Sequence, residues 1–146
     1  MAGIDLPEQR RAVLTIPLEK LGYIIAKARE YDAEVAPADG LDRGSVSEDD
    51  ASAILQSTID NPIRQELRAA IDNLNDDERS ELVALMWLGR DDFDAKDWAD
   101  GLRQARQTRR SRTSRYLVGT PLLSDYLEEG MARLGYSPED ATADRL

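Results

Sequence analysis

Apolar positions recur at three- and four-residue spacing along most of this chain, and no stretch alternates as a strand would. Thr15 precedes a first helix, with Pro17 in its first turn and Leu18, Leu21, Ile25, Ala28 and Tyr31 on one stripe. Residues 1–14 carry no sustained period and read as a loose arm. Val35–Asp50 holds glycine, proline and many Asp and Ser with little to bury, so it is expected to be a mobile acidic loop. Ala51–Ile59 fits a short helix or an extended segment equally well. Asn61 then caps a helix opened by Pro62 and striped by Ile63, Leu67, Ile71 and Leu74. Asn75 caps the next, with Glu78 in the capping-box position. Its run Leu82–Leu88 is apolar on more than one face. That predicts a central, most buried helix with Trp87 in the core, stopped by Gly89.

Asp94 is expected to cap one long helix to about Leu117, broken at Gly119. Thr120, followed by Pro121, is expected to cap a last helix bearing Leu122, Leu123, Tyr126, Leu127, Met131 and Leu134, which Gly135 ends. Ser137-Pro138-Glu139 can start one more turn, and residues 136–146 form a frayed tail. The pattern predicts an all-α class: one domain over residues 15–135, a small bundle of about five helices. Its last two long helices are expected to close as an antiparallel hairpin near Gly119. Counting outward from that turn at equal rise sets Glu129 opposite Arg109 and Asp125 beside Arg112, which predicts two inter-helix ion pairs.

Composition removes whole classes of chemistry. There is no cysteine, so disulfides, thiolate metal sites and cysteine nucleophiles are excluded. There is no histidine, which excludes imidazole metal sites, Ser-His-Asp triads and a histidine pH switch. The longest apolar run, Leu82–Leu88, is too short to span a bilayer, and the first residues lack a signal-peptide pattern. With 146 residues and a net charge of −10, the expectation is a cytoplasmic, acidic, single-domain protein.

The segment Arg103–Arg115 departs from that acidic background, with six of the 19 basic residues and none of the 29 acidic ones. If the helix continues through it, Arg109 and Arg112 fall on the stripe of Trp98, Leu102, Ala105 and Tyr116. Arg103, Arg106 and Arg110 fall on a neighbouring face that can stay wet. Arg109 and Arg112 therefore either pair with acids of a neighbouring helix or fork an anion; with Arg115 and Tyr116 they make the candidate binding residues. DNA reading by this helix is disfavoured, because its start, Asp91–Asp97, would repel phosphate. No aromatic interleaving supports RNA binding. The acidic clusters Glu48-Asp49-Asp50, Asp76-Asp77-Glu78 and Asp91-Asp92-Asp94 lack the glycine and terminal glutamate of a calcium loop. The nine glycines are scattered, so no phosphate-cradling loop exists. No metal site, cofactor or catalytic residue is expected.

Leu82–Gly89, Arg112–Gly119, Thr120–Gly130 and Tyr23–Asp32 together resemble the bacterial domain of unknown function 3775 family, over roughly Leu18 to Leu134. The resemblance implies a bacterial, cytoplasmic helical protein and carries no activity. A non-enzymatic module that binds a protein or an anionic group is the expected function. A nucleic-acid-associated regulator using Arg103–Arg115 is the alternative, and a carboxylate-dependent enzyme stands third.

Overall fold

The computed structural model describes residues 13–35, 61–108 and 113–137. Among them are six α-helices, one short 3-10 turn and no strand. They are α1 (Leu18–Val35), α2 (Pro62–Asp72), α3 (Asp76–Gly89), the 3-10 turn Ala95–Asp97, α4 (Trp98–Gln107), α5 (Thr113–Val118) and α6 (Leu123–Arg133). The protein is an all-α bundle. No described helix is long and apolar enough to cross a membrane. The arm over residues 1–12, Ala51–Ile59 and the tail from Pro138 lie outside the described residues. So does the expected acidic loop, except Val35, which ends α1.

α3 is the centre, as its all-round apolar run requires. It packs against α6, α4 and α5, while α1 packs against α2 and α6, and α2 holds α5. Leu82, Ala84, Leu85, Met86 and Leu88 have no exposed surface, and they join Leu21, Ile71, Leu117 and Leu127 in one core. Two predicted caps are present. The Asn61 side chain accepts from Arg64 N at 3.0 Å. Asn75 and Glu78 form the reciprocal box, at 2.8 Å and 3.0 Å.

Other helix starts are capped from a distance. The buried Glu81 carboxylate, on α3, accepts from Thr15 N at 2.7 Å and Ile16 N at 2.8 Å, just ahead of α1. The Asp32 carboxylate, on α1, accepts from Ser124 N and Oγ at the start of α6. This corrects the expectation for Thr120. Its hydroxyl donates to Tyr116 O at 2.9 Å, and α6 begins after Leu122, which sits in the left-handed region at φ 62° with no side-chain cap of its own.

The long helix expected over 94–117 is also corrected. Thr108 terminates α4, with its N–H and hydroxyl both donating to Gln104 O. α5 then packs on α2, and α6 on α3 and α1, so the described helices do not form the expected hairpin. Glu129 accepts from Arg133 Nε at 3.0 Å, one turn along its own helix. Asp125 is exposed. Arg109 and Arg112 lie outside the described residues.

α3 ends with Gly89, as expected, but Gly89 is not the left-handed residue of the stop. The stop is a Schellman turn two residues later: Asp92 N donates to Trp87 O, Asp91 N to Leu88 O, and Asp91 takes φ 75°. Gly135 ends α6 by the same pattern at φ 98°, with Tyr136 N on Met131 O and Gly135 N on Ala132 O. Gly89 serves packing instead. A Cβ there would stand 1.9 Å from Tyr126 O, and one on Gly130 would stand 2.3 Å from Leu85 O. The two glycines let α3 and α6 run antiparallel in near backbone contact.

Candidate binding cleft

The C-terminal end of α3 opens into a cleft of about 520 Å³, lined by Trp87, Arg90, Asp92, Phe93, Asp97, Asp100, Gly101, Gln104 and Tyr116. Four elements converge there. α3 supplies Trp87, and its Schellman turn swings Arg90, Asp92 and Phe93 round the end of the helix. The 3-10 turn and α4 supply Asp97, Asp100, Gly101 and Gln104, and α5 supplies Tyr116.

Gly101 shapes one wall. The Phe93 ring lies so close to it that a Cβ would meet ring carbons at 2.3–2.7 Å. That ring also leans on Trp98, with centroids 6.4 Å apart and planes tilted by 45°. Trp98 is the buried tryptophan, at 9% exposure, whereas Trp87 is only half-buried. Trp87, expected in the core, packs against it while part of its ring faces the cleft. An indole carries one N–H that needs a partner, and Trp87 Nε1 donates to Tyr116 Oη at 3.0 Å.

Arg90 closes the same corner. Its Nε and Nη2 donate to Asp92 Oδ2 at 3.0 Å and 2.7 Å. The Asp92 hydrogen bond, with Tyr116 as a further partner, outweighs burial and raises the guanidinium above its ordinary value. Asp100 meets Arg103 in an exposed i,i+3 pair. Asp97 caps the start of α4 in sequence without a side-chain hydrogen bond, and its carboxylate has no ion pair among the described residues. Three carboxylates therefore line the cleft against one guanidinium. Among the described residues no group of three acids could hold a metal ion.

Of the four candidate binding residues, the described structure brings one, Tyr116, into this cleft. Arg115 is exposed on α5 and is not among the lining residues. Trp87, Arg90, Phe93 and the three aspartates were missed. Trp87 read as core and Asp92 and Asp97 as part of a helix start, because periodicity reports one helix at a time. The cleft exists only where four elements meet.

A larger groove, about 690 Å³, runs between α1 and α2 over Ile24, Ala69, Ala70 and Leu74, with Tyr23 on its edge. Beside it Lys27 donates to Glu66 at 2.6 Å and lies 5.9 Å above the Tyr23 ring. The Glu66 hydrogen bond is the main reason that the Lys27 amine sits above its ordinary value.

A family model described as a protein of unknown function, DUF3775, matches residues 64–136. That span holds every residue of the cleft, whereas the α1 wall of the groove falls outside it. No curated protein and no solved structure matches the chain.

Proposed function

The chain belongs to the domain of unknown function 3775 family, and from that premise we propose that it works as a non-enzymatic protein-interaction module with the cleft as its binding surface. One observation carries this reading: aromatic side chains and charged groups converge on one concave site inside the family's own span. Trp, Tyr, Phe and Arg are the residue types that anchor protein interfaces most often. The proposed setting is the cytoplasm of a bacterial cell.

The sign of the site differs from the anion reading drawn from Arg109, Arg112, Arg115 and Tyr116. The described lining is acidic, so it favours a basic partner surface over a phosphate or carboxylate.

Site-directed photocrosslinking in cells tests the proposal. Gln104 is exposed on the cleft and Lys20 is exposed beside the α1–α2 groove. A photoreactive residue at Gln104 should join the chain to a distinct protein, and one at Lys20 should not. Crosslinks confined to Lys20, or absent at Gln104, would overturn the reading.

A further inference from the structure

Resting on the reading of this cleft as the binding surface, we propose that its ligand is a guanidinium group, the side chain of an arginine presented by the partner. The cavity comes first. About 520 Å³ is more than one side chain fills, and leaves room for the flanking backbone of a peptide. Its walls include Trp87, Phe93 and Tyr116, and a planar cation stacks on such rings where an anion would be repelled by their faces.

Charge then fixes the sign. Asp97 has no ion pair among the described residues, and the Asp100–Arg103 pair is exposed on both sides, so it exchanges at little cost. These two acids are three residues apart at the start of α4, a spacing that puts them on one face. They are not gathered tightly enough for a metal ion. A flat cation with five N–H donors can reach separated acceptors that a compact ammonium cannot bridge together. The cleft already holds one example: the Arg90 guanidinium lies in it beside Tyr116, bound through two nitrogens to Asp92.

The chain has two tryptophans, so two indole N–H signals report on the site: Trp87 inside the cleft and Trp98 as the internal control. The full chain is titrated with N-acetyl-arginine amide, and in parallel with the citrulline and lysine analogues. The Trp87 signal should move saturably with the arginine probe and stay put with citrulline, its neutral isostere. The lysine probe should bind more weakly than arginine. Asp97→Asn with Asp100→Asn should weaken the arginine probe about tenfold, the scale of a lost charge-assisted hydrogen bond. An unmoved Trp87 signal overturns the proposal. So do an equal response to citrulline or lysine, and unchanged binding in the double variant. Should the probe fail while Gln104 still crosslinks to a partner, the ligand class falls and the interaction module stands. Should the probe bind with no crosslinked partner, the guanidinium site stands and the module reading falls.

Discussion

The two sides of α3 are built on opposite rules. Toward α6, Gly89 and Gly130 remove side chains altogether, and two backbones meet with no space between them. Toward α4 and α5, Gly101 removes one side chain so that the Phe93 ring can occupy its place, and the surface stays open. The first contact is backbone against backbone, which cannot yield. The second is backbone against a ring that can turn. One face of the helix thus fixes the bundle, and the other leaves half-buried aromatic and charged groups lining an open cleft.

Substitutions should separate the two faces by size of effect. Gly130→Ala pushes a methyl group into Leu85 O, and should cost about 3 kcal/mol or more, or prevent folding, by denaturant titration. A small loss would mean that the helices can slide apart, and the contrast would break. Glu81→Ala leaves the Thr15 and Ile16 N–H groups without their acceptor, and should cost about 1–3 kcal/mol by the same titration. On the cleft side, Tyr116→Phe removes a half-buried acceptor from the Trp87 indole. It should cost about 1 kcal/mol and shift that indole N–H signal. Gly101→Ala gains up to about 1 kcal/mol of helix propensity and turns the Phe93 ring aside, so stability should hardly move while tryptophan fluorescence changes.

The smallest effect is one of pH. Lys27 has its folded value raised, chiefly by Glu66, so its contribution is fully present below the ordinary lysine range. It should fade only as pH rises through that raised value. Lys27→Met should therefore flatten the alkaline limb of a stability–pH curve and slightly lower its neutral plateau without changing the slope there.

Local signals read correctly along the chain because their physics is local. The Asn61 and Asn75 caps, the left-handed stop at Gly135 and the buried run of α3 each depend on neighbours within a turn or two. Features joining distant segments were not legible. Nothing near Glu81 says that its carboxylate will cap α1, or near Leu122 that Asp32 will cap α6. Gly89 sits where a helix-stopping glycine would sit, yet Asp91 takes the left-handed turn. Thr108 ended α4 within a segment whose apolar stripe could be extended on paper, and the described helices on either side pack on different neighbours. Tyr116 was found because it lies on that stripe; its partner Trp87 was hidden within an apolar run.

The central claim is that the cleft face of α3 binds while the glycine face only holds the fold. It is tested most directly by pairing Asp97→Asn with Asp100→Asn in the chain that carries the Gln104 crosslinker. Both acids are at the start of α4 and neither makes a side-chain cap there, so the melting temperature should stay within about 4 °C of the parent. The partner crosslink should be lost at that unchanged stability. A crosslink retained in full by a stably folded double variant would contradict the account.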